Sequence, residues 1–462
     1  MTVLWSVLGF IVVMGLIVTI HEWGHYQVAR WFNIKVTTFS IGFGKSLYEK
    51  QGSETTFKIG IIPLGGYVKF VDEREGEVSE ADLPRAFNRQ SVYKRFAVVA
   101  AGPIINLLFA WFVFSVMYLV GVSGPKPIFD HVNPASPLSE AFEKQSLANN
   151  QTWSVVSVDG RPVYHWQGVH QQILQGLVDE VKSIDLTLES QKSGGLFLLK
   201  DIPLDGLDIN QPKQNWLKVL GFKPYQIQLP IVLGDVVPQS AAALAGLKSG
   251  DKILRVGSET VTYWPEFVTA VRAKPEQAVE ITYERDHAEY VAVVKLGKVQ
   301  LSSGQSVGQF GASVQVSEAV LKPYMNHVQY GVSEAFLQGF QRSLDLFDMS
   351  LVMMQRMFFG NVSLENLSGP LSIANYSGQA IQSGLISFLS LLGLLSLSIG
   401  ILNLLPIPIL DGGHLVYYLI EMVKGSPVSE RVMSVGQSIG LALIVGLTFV
   451  ALFNDVVRIS HG

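Results

Sequence analysis

The sequence predicts a multi-span α-helical membrane protein with four transmembrane helices, a small membrane-associated β-sheet and two α+β domains outside the membrane. Four uncharged apolar stretches are each long enough to cross a bilayer, which takes about 20 residues. A segment rich in Ile, Val and aromatic residues follows the first stretch, and a degenerate repeat of domain size separates the second from the third. The chain of 462 residues is 48% apolar and only 16% charged, which suits this class.

The composition also limits the partners and ligands. The net charge of -4 suggests that the protein has no nucleic-acid partner. The chain has no cysteine, so every metal ligand must be His, Asp, Glu or water. The first six residues carry no Lys or Arg, so we interpret the first apolar stretch as a retained span and not as a signal peptide.

The apolar stretches are residues 3–20, 96–122, 386–405 and 432–453. They predict transmembrane helix 1 at 1–31, a β-rich cytoplasmic-side loop at 32–94, helix 2 at 95–122, external domains at 123–222 and 223–310, a linker with interfacial helices at 311–377, helix 3 at 378–414, a cytoplasmic loop at 415–431 and helix 4 with a tail at 432–462.

Lys and Arg residues predict the orientation of these spans. The segment 30–95 holds 11 of them, and the short loop before the fourth span holds Lys424 and Arg431. By the positive-inside rule, both loops face the cytoplasm and both termini lie outside. The first and third spans then run in the same direction, so their C-terminal ends reach the cytoplasmic side at similar depth.

The motif His21-Glu22-Trp23-Gly24-His25 closes the first span. Two histidines four residues apart lie on one helix face and can share a metal, and the Glu between them is the usual general base of metal-assisted hydrolysis. A helix places His21 roughly 27 Å along the span, near the far edge of the hydrocarbon. The motif therefore predicts protease chemistry at membrane depth, with His21 and His25 as metal ligands and Glu22 as base.

The two histidines need a third protein ligand, because a catalytic zinc usually takes three and a water. The extended motif with a third histidine is excluded, since Val28 and Trp31 stand where it needs Gly and His. Glu49 and Glu54 are candidates. Asp411 is favoured, because the parallel direction of two spans brings it beside the HEWGH motif and a carboxylate at membrane depth needs a partner.

The region between the second and third spans contains the repeat. Residues 132–137 (VNPASP) resemble 236–241 (VVPQSA), and 158–166 (VDGRPVYHW) resemble 256–264 (VGSETVTYW). The second copy adds AGLKSGD at 245–251, which looks like a PDZ domain of the bacterial protease type. We therefore expect two PDZ-like domains, a class that binds extended peptides by strand addition.

The chain resembles the site-2 protease family of intramembrane metalloproteases. The HExxH motif closing a first span, the NxxPxPxLDGG motif of 403–413 and PDZ domains between them carry the resemblance, together with GFGK at 42–45, PLGGYVK at 63–69, AGP at 101–103 with Asn106, and SGPLSIA at 368–374. The resemblance implies Zn²⁺ held by His21, His25 and Asp411. It also implies a multi-pass protein of the bacterial inner membrane with periplasmic termini and PDZ domains and an active site near the cytoplasmic side.

Residues around the motifs are candidates for holding a substrate. The resemblance gives Asn403 a role in binding substrate backbone, and it makes the segment of Gly65, Gly66 and Tyr67 a strand edge for the substrate. Pro406 and Pro408 break regular helix before Asp411 and expose backbone groups, which suits a helical substrate that must unwind. His414 is a candidate to hydrogen-bond a metal ligand.

The expected substrates are single-span membrane proteins in the lipid bilayer. By resemblance they include an anti-sigma factor of an envelope stress response, already trimmed outside, and signal-peptide remnants are further candidates. The external domains would serve as a size filter or docking site, and the protein is expected to be a monomer. Two other classes stay open: a membrane-embedded PDZ scaffold with a structural metal site, and a transporter, because ionisable residues inside spans often mark ion paths.

Overall fold

The computed structural model describes residues 2–74, 76–149, 151–211, 214–300, 304–360 and 362–461. The chain divides into a helical unit, Met1–Val122 with Val328–Ser460, and a β-rich unit that is mainly Ser123–His327. By length and composition, four described helices could cross a membrane, and all four belong to the helical unit. They correspond to the four predicted spans.

The helical unit begins with two long helices that flank a small sheet. Its first elements are α1 (Thr2–Trp31), β1 (Val36–Gln51), β2 (Thr56–Phe70), 3-10 turns at Leu83–Arg85 and Phe87–Arg89, and α2 (Val92–Val120). The helix α1 ends at Trp31, and Asn33, whose φ is 59°, turns the chain into the sheet. Residues 38–41 of β1 have partners in both halves of β2, at 56–59 and at 66–69.

The β-rich unit contains two successive sheet-and-helix bodies. The first consists of β3 (Val122–Pro125), β4 (Ile128–Val132), α3 (Pro137–Lys144), β5 (Trp153–Val158), β6 (Arg161–Pro162), α4 (Trp166–Val178), β7 (Ser183–Ser190), β8 (Leu196–Pro203), α5 (Trp216–Leu220) and β9 (Phe222–Pro224). Its sheet has the order β8-β7-β5-β4-β9, with β6 paired to β5. Buried residues between Phe129 and Phe222 form its own core, in which Trp153 is the largest side chain.

The second body repeats this plan with its own core, between Ile231 and Phe310. It consists of β10 (Leu233–Val236), α6 (Ala241–Leu244), β11 (Lys252–Val256), β12 (Glu259–Thr260), α7 (Trp264–Arg272), β13 (Ala278–Arg285), β14 (Ala288–Lys295), β15 (Gly297–Gln300), β16 (Ser306–Gln309) and β17 (Ala312–Val314). The strand order is β12-β11-β13-β14, with β10 paired to β17 and β15 to β16. After it come α8 (Glu318–Leu321), a 3-10 turn at Lys322–Tyr324 and β18 (Met325–Val328), which pairs with β3.

The sequence repeat occupies equivalent places in the two bodies. Ser136 and Ser240, at corresponding positions, cap α3 and α6 by accepting hydrogen bonds from the backbone N–H groups of Ser139 and Ala243. The second repeated motif forms a strand, a tight hairpin and the start of a helix, α4 in one body and α7 in the other. The repeat is therefore present in the structure as well as in the sequence.

A pair of glycines extends the equivalence beyond the sequence motifs. Gly221 and Gly311 both have positive φ, at 105° and 82°, and a Cβ on either would collide with the capping serine of its own body. Each glycine is followed by a strand that pairs with the strand before the capping serine, β9 with β4 and β17 with β10. The second body thus continues four residues past 310, because β17 pairs with β10.

After the β-rich unit, the described part of the chain returns to the helical unit with five helices. They are α9 (Val332–Phe358), α10 (Pro370–Ser383), α11 (Leu385–Leu404), α12 (Asp411–Lys424) and α13 (Glu430–His461), with a 3-10 turn at Leu364–Asn366 before α10. Asp455 of α13, fully buried, accepts hydrogen bonds from the backbone N–H groups of Gly369, Leu371 and Ser372. These are unpaired donors at the start of α10, so the carboxylate ties the two helices together.

The predicted third span and the loop after it differ from the structure. Residues 378–414 are divided among the end of α10, α11 and the start of α12, because Gly384 with a φ of 102° interrupts the helix and Pro406 and Pro408 lack the N–H groups that would continue it. Most of α12 lies in 415–431, which was predicted to be a loop. Asp411 therefore begins a helix and does not end one.

The second body of the β-rich unit depends on a buried ion pair. Asp251 is 1% exposed, and its carboxylate accepts hydrogen bonds from Arg285 Nε at 2.6 Å and Nη2 at 2.7 Å and from the Lys248 backbone N–H at 2.8 Å. We predict that Asp251→Asn weakens this body by about 2 kcal/mol, because charge-assisted hydrogen bonds are lost at a buried site. Hydrogen exchange of β11 and β13 amides in the full-length protein measures the local free energy of unfolding.

Glu284→Gln on β13 is the matched control. Its carboxylate lies 3.4 Å from Lys252 Nζ, and both side chains are about a third exposed or more, so the loss should be below about 1 kcal/mol. Equal exchange rates in the Asp251→Asn variant and the wild type would contradict the prediction.

Candidate metal centre

The HEWGH motif lies near the C-terminal end of α1 with both histidine rings on one side of the helix. His21, Glu22 and His25 are 9%, 7% and 8% exposed. The two rings are perpendicular, with centroids 4.9 Å apart, and their Nε2 atoms are 3.2 Å apart. The spacing of four residues thus brings two ring nitrogens to one point.

Asp411 lies at that point. Its Oδ2 atom is 3.2 Å from His21 Nε2 and 3.5 Å from His25 Nε2. Among the residues that the structure describes, His21, His25 and Asp411 are the group of metal-ligand type whose donor atoms all lie within 4.8 Å of one another. The structure therefore brings together the three predicted ligands, although it leaves their binding of a metal as a prediction.

The connection 405–410 explains how Asp411 reaches the histidines. Hydrogen bonds from the N–H groups of Ile407 to Leu405 and of Ile409 to Ile407 fold it into tight turns. Gly412 and Gly413 lie against this connection, and a Cβ on Gly413 would be 2.5 Å from Pro408 Cα. Asp411 stands in the first turn of α12, where an acidic residue is favoured by the unpaired N–H groups of a helix start.

The opposite helix, α2, supports the histidines. The carbonyl of Val98 accepts a hydrogen bond of 2.8 Å from His25 Nδ1, so the lone pair of a neutral His25 ring is on Nε2. Gly102 faces both rings: a Cβ there would be 2.9 Å from His21 Cε1 and 2.5 Å from His25 Cε1. Two imidazole nitrogens and a carboxylate oxygen, with at least one tautomer already fixed, fit a divalent metal such as zinc.

A cleft of about 520 Å³ opens beside the three converging atoms. Glu22 lines it, as do the candidate substrate residues Gly65, Gly66, Tyr67 and Asn403. A Cβ on Gly66 would lie 2.9 Å from Glu22 Cγ, so β2 passes directly against the predicted base. The backbone of β2, the base and the predicted ligands therefore share one cavity.

Other predicted residues are not part of the cleft lining. Pro406 and Pro408 lie in the connection before α12, and Pro408 packs near Gly440 of α13. His414 lies one turn after Asp411, with its ring at 6.3 Å from that of Tyr417, and its role toward a metal ligand stays a prediction.

The alternative carboxylates are engaged elsewhere. Glu54 accepts hydrogen bonds of 2.6 and 2.9 Å from Arg85, which hold the pKa of that carboxyl below its usual range. Glu49 pairs with Lys58 at 3.3 Å. Neither belongs to the group of converging donors, so the structure favours Asp411 over both.

Sequence reasoning assigned no role to Val98, Gly102 or Asn106, all on α2. Val98 contributes its backbone carbonyl, a group that every residue carries, so the residue type gives no indication of this role. Gly102 and Asn106 do carry a signal, since a glycine and an amide in an apolar span are typical of close helix packing and interhelical hydrogen bonds. Asn106 is fully buried, with Nδ2 at 3.2 Å from His21 Nδ1.

Known proteins resemble the chain along its whole length. The sequence profile of peptidase family M50 matches residues 9–447. The regulator of sigma-E protease RseP of Escherichia coli is 36% identical over 461 residues, and the protein of the same name from Salmonella typhimurium is 35% identical over 462 residues; 99% of this chain and 99% and 100% of those proteins are covered. A Vibrio cholerae protein provisionally named a zinc metalloprotease is 35% identical over 458 residues, with 99% of both chains covered.

A solved structure, the PDZ domain of the SdrC-like protein from Listeria monocytogenes, covers 20% of this chain and 93% of its own. The sequence identity is 20% and the TM-score is 0.17, a likeness too slight to assign a fold.

Gly102 gives a direct test of the geometry. We predict that Gly102→Ala lowers bound zinc at least about tenfold, because the new methyl group would occupy the space of the two rings. Metal analysis of the purified full-length protein measures the zinc content. Gly15→Ala, on α1 with no atom within 4 Å of a Cβ, is the matched control and should leave it unchanged. Wild-type zinc content in Gly102→Ala would contradict the geometry.

Proposed function

The chain belongs to peptidase family M50, and on that premise we propose that the HEWGH motif and Asp411 form its active site. The chain is an intramembrane zinc metalloprotease of the site-2 protease type. The observation that supports the site most strongly is the convergence of His21 Nε2, His25 Nε2 and Asp411 Oδ2 within 4.8 Å beside Glu22 in one cleft.

His21, His25 and Asp411 hold the zinc ion. When bound, zinc supplies a Lewis acid for the scissile carbonyl and makes water more acidic. Glu22 accepts the proton of the attacking water and later delivers it to the leaving amine. The burial of Glu22 in the cleft keeps this proton transfer away from bulk solvent.

The substrate binds along β2 in an extended form. Residues 66–68 pair with β1 on one side, and no third strand joins this sheet in the part of the chain that the structure describes. Their outer edge faces the cleft, where strand addition would satisfy the backbone of an unwound segment. The Asn403 amide, which can both donate and accept, binds substrate backbone from the opposite wall.

The substrates are single-span membrane proteins, among them an anti-sigma factor, as the resemblance to the site-2 proteases and the names of the relatives suggest. The protein lies in the bacterial inner membrane, with the termini and the β-rich unit in the periplasm and the zinc near the cytoplasmic side. The distribution of Lys and Arg in the loops supports this orientation. We expect a monomer to be sufficient, since all proposed site residues come from one chain.

The two bodies of the β-rich unit are two PDZ domains. Their shared order of elements and their equivalent Ser–Gly contacts support this assignment. They act as a docking site or size filter, so that substrates with large external domains are excluded.

The role of Glu22 is tested by an isosteric change. We predict that Glu22→Gln lowers cleavage of a reconstituted single-span peptide at least about 100-fold, because the amide cannot accept the proton, while bound zinc is retained. Asp411→Asn should instead lose zinc. Glu430→Gln, an exposed position at the start of α13, is the control for loss of a carboxylate. Unchanged cleavage by Glu22→Gln would contradict the role of Glu22 as the base, whereas no cleavage by the wild-type protein would favour a scaffold with a structural metal.

The need for unwinding is tested in the substrate. We predict that an Ala→Gly change in its span, within one turn of the cleaved bond, raises kcat/KM about fivefold, because Gly lowers helix stability by about 1 kcal/mol. The same change at the far end of the span is the control. Equal rates for all three substrates would show that unwinding does not limit cleavage.

A further inference from the structure

Asn106 of α2 lies at the predicted metal ligand His21. It is fully buried in a helix that is apolar enough to cross a membrane. Its Nδ2 atom is 3.2 Å from His21 Nδ1, and its Oδ1 atom has no hydrogen-bond partner among the residues that the structure describes. A buried amide oxygen without a donor is costly, so the orientation of this amide needs a reason.

The chemistry of His21 requires the opposite orientation. A ring nitrogen binds a metal through its lone pair, so His21 can present Nε2 to a metal only when the proton is on Nδ1. An Nδ1–H group needs an acceptor, and Nδ2 is a donor. A half-turn of the Asn106 amide exchanges its nitrogen and oxygen and places Oδ1 where it accepts from His21 Nδ1–H, the donor that a metal-binding His21 requires.

His25 provides the precedent within the same site. Its Nδ1 already donates to a backbone carbonyl of α2, that of Val98. With the amide turned, both histidines donate from Nδ1 to acceptors on α2 and direct both Nε2 atoms toward Asp411. Gly102 lies between the two acceptors and leaves room for the rings.

The neighbouring helix α11 fixes the position of Asn106. Ser396, fully buried, donates from Oγ to the backbone carbonyl of Asn106 at 2.9 Å. A Cβ on Gly400 would be 3.3 Å from Asn106 Cβ, so the two helices are in close contact here. The backbone and Cβ of Asn106 are therefore held in place on the side of α2 that carries its amide to the His21 ring.

We propose that Asn106 is a positioning residue whose Oδ1 accepts a hydrogen bond from His21 Nδ1–H and so selects the tautomer that holds zinc. The proposal rests on the proposed function, because it requires His21 to be a zinc ligand. Removing the acceptor costs zinc affinity and not only turnover.

Zinc affinity of the purified full-length protein, measured by competition with a chromophoric chelator, tests the proposal. Asn106→Leu removes the acceptor at similar size, and we expect affinity to fall about 10- to 100-fold. Asn106→Asp keeps an oxygen for Nδ1–H, and we expect affinity close to that of the wild type. Ser115→Ala is the matched control, since Ser115 is a buried polar residue of α2 that bonds within its own helix. Cobalt absorption spectra of the same variants report the ligand set independently.

The variants separate two kinds of failure. Wild-type affinity in Asn106→Leu, or equal losses in Asn106→Leu and Asn106→Asp, overturns the proposal. If Asn106→Leu does not fold as judged by its thermal unfolding, Asn106→Asp decides alone: retained affinity supports the acceptor role and lost affinity overturns it. Wild-type affinity in His21→Ala would instead overturn the proposed function and the inference with it.

Discussion

The close approach of α1 to α2 is the constraint on which the metal centre depends. Gly24 of α1 and Gly102 of α2 lie in this contact, and a Cβ on Gly24 would be 2.7 Å from the Ala101 carbonyl oxygen. Without side chains at these positions, the two backbones come near enough for a histidine of α1 to bond a carbonyl of α2. A side chain at Gly102 would collide with the rings, and one at Gly24 would push the two helices apart, so the positions of His21 and His25 follow from the packing of the helices.

The two units of the chain are stabilised by different interactions. In the β-rich unit, large apolar side chains such as Trp153 and Phe267 are fully buried in cores of the soluble type. In the helical unit, many close contacts are made by glycines, among them Gly9 against Gly378 and Gly393 against Phe114. Lipid is as apolar as leucine, so burying apolar side chains between two spans contributes little to their association. Close backbone packing and polar hydrogen bonds must stabilise the helix pairs instead.

Much of the site follows from the sequence, because its strongest signals are local or topological. The spacing of His21 and His25 fixes one helix face, and the equal direction of two spans places Asp411 on their side of the membrane. The start of α12 at Asp411 did not follow, because the third span was predicted to extend through 378–414 and the residues after it, 415–431, were predicted to be a loop. The contribution of Val98 could not be predicted from any residue type, because it is made by the backbone. The contact of Gly221 with Ser136 could be recognised only by comparison with the equivalent contact of Gly311 with Ser240.

Few hydrogen-bond partners are available at membrane depth. Burying polar groups there costs free energy, and the few available partners also restrict where those groups can lie. Polar groups at this depth depend on partners inside the protein, because the surrounding lipid offers none. Asp411 finds two histidines, and His25 finds a backbone carbonyl. A substrate that enters the cleft would meet the same requirement, because its N–H and C=O groups need partners once its helix unwinds. The proposed strand addition to β2 would supply them beside Glu22, since β2 passes directly against that side chain.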